Sequence, residues 1–426
     1  MSQTEEKREG FYLSEDGEWI PDGWEYKLIG EEVCLAQGVA INKKTDFILC
    51  DESEGVPLLK INNLLNNTVD HYVNPLLVTE KAILKKEDII FTRTGQPGWV
   101  FKNKNGVLHN NSFKVIPSDK LDSNYLYWFL KQKQIFNYIQ KVASGSAQPD
   151  LSHDTFKTVP IFLPPLPEQK AIASVLGSLD DKIELLREQN ETLEALAQTL
   201  FKRWFIDFNF PDENGNPYKD SGGEIVASEL GEIPEGWKVA ELQEIITLKK
   251  SAIRSDAISH EEKYVGLEHI SRKHLQLTEH GWGKDVSSNK SKFSRGDILF
   301  GKLRPYFHKV CIAPFEGICS TDILVLNVVT ELWYSFSLMH IYSERLIDFV
   351  TLASTGTRMP RTSFSEIGRY KIPLPPQRVA KPFDEMCRKF FEKASDNTEQ
   401  IETLTQLRDT LLPKLMKGEV RVPIEP

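Results

Sequence analysis

The chain states one pattern twice, and each statement ends in a helix with heptad spacing. Ile20-Pro21-Asp22-Gly23-Trp24 returns as Ile233-Pro234-Glu235-Gly236-Trp237, an offset of 213. Asp88-Ile89-Ile90-Phe91 returns as Asp297-Ile298-Leu299-Phe300 at 209. Gly145, Pro149 and Pro164-Pro165 return as Gly356, Pro360 and Pro375-Pro376 at 211. A small drift about 211 is what loop insertions inside a duplicated unit produce. So long a period excludes a solenoid, whose repeat is ~20–50 residues. What remains is one domain used twice, each copy followed by a spacer helix.

The 426 residues suffice for two to four domains, each with its own core. Hydrophobic residues make up 40% and charged residues 27%, the balance of a soluble globular protein. No apolar run nears the ~20 residues needed to span a bilayer, so no membrane partner is expected. Residues 1–10 are charged and carry no targeting signal, which makes the cytoplasm the expected compartment. Cys34, Cys50, Cys311, Cys319 and Cys387 are scattered, which argues against a disulfide framework and a structural zinc site. The 52 basic and 61 acidic residues leave a net charge of −9. That excludes a coat protein basic all over, but not DNA binding by a locally basic face.

Residues 1–19 carry no period and read as an arm. Strand-like runs follow at Val56–Ile61, Asp88–Thr92 and Asn111–Ile116, then a helical pattern at Asn124–Lys141. The second copy repeats the order with Tyr264–Leu267, Asp297–Gly301 and Asp322–Asn327, then a helix over Leu332–Val350. The predicted fold class is α+β, a tandem duplication.

Pro164-Pro165-Leu166-Pro167 closes the first copy; Pro167 suits a first helical turn and Glu168 its positive dipole end. Ile172, Leu176, Leu179, Ile183, Leu186, Asn190, Leu193, Ala197, Leu200 and Trp204 then fall in 4-3 spacing, the seam of a coiled coil. At ~1.5 Å per residue, Glu168–Phe205 would reach roughly 57 Å. The second seam, at an offset of 211, is Phe383, Cys387, Phe390, Ala394, Asn397, Ile401, Leu404, Arg408, Leu411 and Leu415. Pro382 is expected to delay this helix, and Pro413 to kink or fray its last turn. If the two helices pair antiparallel, one register sets Asn190 on Asn397, Leu193 on Ala394, Ala197 on Phe390, Leu186 on Ile401 and Ile183 on Leu404. The two buried amides then satisfy each other and fix that register. The alternative is that each Asn points at solvent.

The junction Leu163-Pro164-Pro165-Leu166-Pro167-Glu168-Gln169-Lys170-Ala171-Ile172-Ala173 and the helix exit Phe201-Lys202-Arg203-Trp204-Phe205-Ile206-Asp207-Phe208 resemble the central region of type I restriction–modification specificity subunits. The tail Leu411-Leu412-Pro413-Lys414-Leu415-Met416-Lys417-Gly418-Glu419-Val420 resembles that family's carboxyl-terminal helix end. The resemblance implies two target-recognition domains, residues 20–163 and 233–374, separated by two long antiparallel coiled-coil helices. One helix lies in 164–210, before a linker at 211–232, and the other in 375–426. It implies no catalysis and no cofactor in this chain, and a bipartite site on double-stranded DNA. Two methyltransferase subunits are the implied partners, with restriction–translocase subunits as optional ones; S-adenosylmethionine for adenine N6 methylation belongs to the methyltransferases. Half-sites read from one side need a separation near one duplex turn, roughly 34–36 Å, which a stiff helix pair holds better than a flexible linker.

Candidate DNA contacts lie in matched loops. Arg93, Thr94 and Gln96 follow the first copy's central strand; Lys302, Arg304, Tyr306 and Lys309 follow the second's. Arg and Lys pair with guanine or phosphate and Gln with adenine in the major groove. A second matched pair offers Ser144, Ser146 and Gln148, and Thr357, Arg358 and Arg361, suited to phosphate and base contact. The competing readings are a solvated hairpin for the first pair and a helix C-cap for the second. The aromatic exit Phe201, Trp204, Phe205, Phe208 and Phe210 either caps the helix internally or docks a partner.

Other signals fail. Asn216-Pro217-Tyr218 mimics a methyltransferase motif but sits in a polar turn and lacks a second proline; no Gly-rich cofactor loop or phosphate-binding loop accompanies it. Pro21-Asp22 with Glu25-Tyr26-Lys27 is too tightly spaced for a nuclease metal site, and His269, His274 and His280 lack ligand spacing. The rivals to DNA recognition are a stand-alone DNA enzyme, which would need such motifs, and a coiled-coil scaffold binding proteins through its duplicated domains.

Overall fold

Short apolar runs bounded by turn residues form buried central strands here, and they do so identically in both repeats. The computed structural model describes residues 9–14, 17–143, 149–354 and 359–423. It contains two compact units, Met1–Asp181 with Thr405–Pro426, and Lys182–Leu404. In the first, an antiparallel sheet orders Val100–Phe101, Ile89–Thr92, Ser112–Pro117 and Val33–Gln37. In the second, Val310–Ile312, Ile298–Gly301, Ile323–Val328 and Ile246–Leu248 repeat that order. A second sheet in each unit contains one parallel pair, Val56–Leu59 with Gly106–Leu108 and Lys263–Val265 with Gly317–Cys319. Ile89–Thr92 and Ile298–Gly301 are buried at every position, so both central strands lack a polar face.

The helical patterns are broken where the sequence predicted continuity. Asn124–Lys141 resolves into Ser123–Leu130 and Lys133–Val142, and Leu332–Val350 into Tyr334–Ile341 and Glu344–Ala353. The cause is a polar residue at the same place in each repeat. Gln132 Nε2 donates to the Phe129 carbonyl at 3.1 Å, and Ser343 Oγ to the His340 carbonyl at 2.7 Å. Each side chain satisfies the end of one helix while its backbone, in extended conformation, opens the next.

Two long helices follow the domains, Leu166–Phe201 and Gln377–Met416. They begin at matched positions, so Pro382 does not delay the second helix. It stands where the first repeat has Ala171 and forfeits one hydrogen bond near the start. Val379, Ala380, Phe383 and Cys387 around it are all buried, and that packing holds the turn together. Nor does Pro413 fray the end: the helix continues to Met416, with Leu412, Leu415 and Met416 buried.

The helices pair antiparallel. Asn397 Nδ2 donates to Asn190 Oδ1 at 2.9 Å, and Asn190 Nδ2 to the Ala394 carbonyl at 3.2 Å. Leu186 packs in one cluster with Ile183, Ile401 and Leu404. Ala197 and Ala394 are buried and Leu193 is half-buried. Phe390 is half-buried and Phe391 beside it is buried, because this helix also packs on the core of its own unit and needs a stripe wider than a heptad seam. In the unit containing Met1–Asp181, Arg408 forms an ion pair with Asp180, and Ile172 and Leu176 share a core with Leu412 and Leu415.

Buried charge anchors helices to domains. Glu168 accepts from Trp24 Nε1 at 2.9 Å and from both the Nε and an Nη of Arg421. Glu194 accepts from the Leu275 amide at 2.9 Å and the Tyr342 hydroxyl at 2.6 Å. The aromatic exit caps its own unit: Trp204 and Phe205 are buried, with Phe205 4.7 Å from Phe383 and 5.9 Å from Trp237. A π-turn over Lys202–Ile206 widens the helix end there. Among the described residues, no helix is long and apolar enough to cross a membrane, and no cluster of His, Cys, Asp and Glu could hold a metal.

Candidate nucleic-acid interface

In each repeat a loop leaves the end of the buried central strand and is tied to the segment that follows the two short helices, Ser123–Leu130 and Lys133–Val142 or Tyr334–Ile341 and Glu344–Ala353. The Gly95 amide donates to the Pro149 carbonyl at 2.8 Å; in the second repeat the Arg304 amide donates to the Pro360 carbonyl at 2.8 Å. The Leu151 amide donates to the Arg93 carbonyl at 3.1 Å, and the Thr362 amide to the Lys302 carbonyl at 2.9 Å. The Arg93 amide meets the Asn111 carbonyl at 2.9 Å, and the Lys302 amide the Asp322 carbonyl at 2.9 Å. Three matched backbone bonds make one frame, built twice.

The side chains on that frame differ. Arg93 forms a two-pronged pair with Asp150, Nε at 3.1 Å and an Nη at 3.0 Å, and its other Nη reaches Gln37 Oε1 at 3.3 Å. Thr94 Oγ1 donates to the same carboxylate at 2.5 Å. The Arg93 bond holds the Asp150 carboxyl below its usual range against the opposing pull of burial. Thr92 Oγ1 closes the loop, donating to the Gln96 carbonyl and accepting from the Trp99 amide, which leaves the Gln96 side chain exposed. Arg93 and Thr94 are therefore held within the fold, and Gln96 faces out.

In the second repeat Lys302 and Arg361 both approach Asp322, at 3.9 and 3.6 Å. Arg304 adopts a φ of 52° where its counterpart Gly95 takes 86°. A non-glycine residue in that left-handed region is strained by of order 1–3 kcal/mol, so the arginine is kept at some expense to the loop. His308 closes the Pro305–Phe307 turn at φ 51° and is buried, with its Nε2 on the Tyr342 carbonyl at 2.8 Å. Tyr306 is 50% exposed and stacks edge-on to Phe307 at 4.8 Å. Lys309 turns inward onto the Leu267 carbonyl, and burial lowers its pKa. Ser144, Ser146, Gln148, Thr357 and Arg358 lie outside the described residues.

Sequence reasoning missed Gln37, Asp150, Asp322 and Arg272. The guanidinium of Arg272 lies 3.9 Å from the centre of the Phe307 ring, adding an exposed cation to the Arg304–Tyr306 surface. Pro149-Asp150 and Pro360-Arg361 do sit at the offset of 211, so a signal for Asp150 was present. Gln37 and Arg272 come from other strands and turns, and no spacing marks them.

The type I restriction modification DNA specificity domain model matches this chain twice, at residues 21–195 and 234–406. The MjaIX type I restriction enzyme specificity subunit of Methanocaldococcus jannaschii is 31% identical over 365 residues, covering 81% of this chain and 82% of that protein. The MjaVIII specificity subunit of the same organism is 25% identical over 95% of this chain and 94% of its own length. The crystal structure of a type I restriction–modification S subunit from M. genitalium aligns with a TM-score of 0.58 at 18% identity, covering 92% of this chain and 96% of that one, a likeness of fold. With both repeats matched and that architecture shared, the chain belongs to the type I restriction–modification DNA specificity family.

Proposed function

We propose that this recognition subunit reads a bipartite, asymmetric site on double-stranded DNA, one half through each repeat. It carries two methyltransferase subunits to that site, which methylate adenine N6 from S-adenosylmethionine; restriction–translocase subunits are further partners of the same assembly. The carrying observation is the doubled loop frame, which shares its backbone hydrogen bonds and differs in nearly every exposed side chain. One backbone with two sets of side chains is what reading two different half-sites calls for.

Gln96 in the first loop, and Tyr306 and Arg361 in the second, are exposed and, with half-buried Arg304, are proposed to meet bases and phosphates, along with Ser144, Ser146, Gln148, Thr357 and Arg358. Lys302, Lys309, Arg93 and Thr94 support the loops. The paired helices set the gap between half-sites, and their buried amide pair holds the register on which that gap depends. The target adenine leaves the duplex for a partner's pocket. A chain acting on chromosomal DNA works in the cytoplasm.

Co-expression with its methyltransferase partners, followed by mapping of methylated adenines in the host genome, tests this reading. The expected motif has two specified parts separated by an unspecified gap of constant length. An undivided motif, or no methylation that depends on this chain, would exclude it. No DNA affinity at any ionic strength would favour a protein scaffold, whereas DNA readout gives binding that falls steeply as salt rises.

A further inference from the structure

The two loop frames share their backbone bonds but carry their anion on different elements. In the first repeat the loop supplies the cation, Arg93, and the return segment the anion, Asp150, at 3.0 Å. In the second, position 361 on the return segment is an arginine. Loop and return segment are then both cationic, and the anion has moved to Asp322, the counterpart of Asn111 on the neighbouring turn. A carboxylate thus sits in both frames at the junction of loop and return segment, contributed by different elements. An arginine at 361 without an anion beside it would leave two cations facing each other; Asp322 lies within 4 Å of both and offsets that repulsion.

We propose that Asp150 and Asp322 are positioning residues: each latches a DNA-reading loop to the segment that follows the two short helices, and Arg93 acts as a latch partner instead of a base reader. The inference rests on the DNA-reading function proposed above. Asp150 binds Arg93 through both oxygens and takes Thr94 as well, so it orients two consecutive loop residues while Gln96 projects outward. The guanidinium geometry is satisfied by the planar carboxylate, with Gln37 taking a further N–H. An arginine occupied in this way is spent on shape. Asp322 is looser, 3.6 Å from Arg361 and 3.9 Å from Lys302, beyond direct hydrogen-bond distance, and Arg361 stays about half exposed beside it.

The full chain, assembled with its partner subunits, is tested by selecting bound duplexes from a randomised DNA pool and sequencing them. The wild type yields a two-part motif. Arg93→Asp and Asp150→Arg, each alone, are expected to weaken selection of one half by about tenfold or more, while the other half survives as an internal control of folding. The double variant restores the pair with reversed polarity and recovers most of that loss. Asp322→Asn affects the opposite half. A double variant as poor as Arg93→Asp alone would show Arg93 reading DNA directly and overturn the latch, as would single variants with both halves intact. If a single variant loses both halves through misfolding, the isosteric Asp150→Asn replaces it, with loss of one half expected and loss of neither overturning the proposal. A wild type that selects no motif overturns the DNA reading itself, and the latch with it.

Discussion

His340 stands in the second repeat where Phe129 stands in the first, 211 residues earlier, and both are buried in the domain core. Its ring packs 4.8 Å from Phe201 and 4.5 Å from Phe336. Burial pushes its pKa down to about 3, so it is neutral in the folded protein. In the unfolded chain an imidazole titrates near 6.5. Between those values the unfolded state binds a proton that the native state refuses, so stability is complete above about pH 6.5 and falls as pH drops. The loss is about 1.4 kcal/mol per pH unit at most. His340→Phe, the first repeat's own residue, is expected to remove that part of the acid sensitivity. Urea denaturation at pH 7 and 5.5 measures it; parent and variant losing equal stability would refute the account. The same scale explains why the sequence offers Arg93 as a DNA-contacting arginine and not as the partner of Asp150: that carboxylate is 57 residues away, and only folding brings them together.

At the scale of elements, the long helices behave as their spacing predicted and the short ones do not. The seam from Ile172 to Trp204 is buried or half-buried at every position, because a 4-3 pattern leaves a helix one face to hide. Gln132 and Ser343 broke the shorter patterns because one polar residue can cap a helix end, and periodicity does not register caps. Within the helix pair, Asn190 and Asn397 hold register through a buried hydrogen bond of 2.9 Å. Asn397→Leu leaves the Asn190 carbonyl oxygen without its donor and should cost about 1–3 kcal/mol. Replacing both with leucine should recover stability, since apolar pairs are easier to bury, while loosening the register. Chemical denaturation of the single and double variants tests the first part. A double variant no more stable than the single one would contradict it.

For the molecule as a whole, the different placement of the anion gives the two repeats different electrostatics. Arg93 and Asp150 cancel, whereas Lys302, Arg361 and Asp322 leave one positive charge, with exposed Arg272 nearby. Each phosphate neutralised by a cation steepens the fall of affinity with salt. The half-site read by the second repeat should therefore show the steeper dependence. Duplexes keeping only one half-site, titrated with the assembled complex across a range of KCl, measure both slopes; equal slopes would count against the assignment. The acidic total of −9 does not bear on this, because a duplex responds to the surface it faces.

Duplication, the α+β class, the paired long helices and the family were all determined by sequence alone, because a repeat offset and a heptad seam are one-dimensional regularities that survive without knowledge of contacts. The tertiary structure decided which polar groups face outward and which are held within the fold. Lys309 turns in, Arg304 is strained in place, Trp204 caps a core, and Asp150 and Asp322 meet loop cations from different segments. Such roles depend on the partner a side chain meets, and residues distant in the chain become partners only when packing places them there.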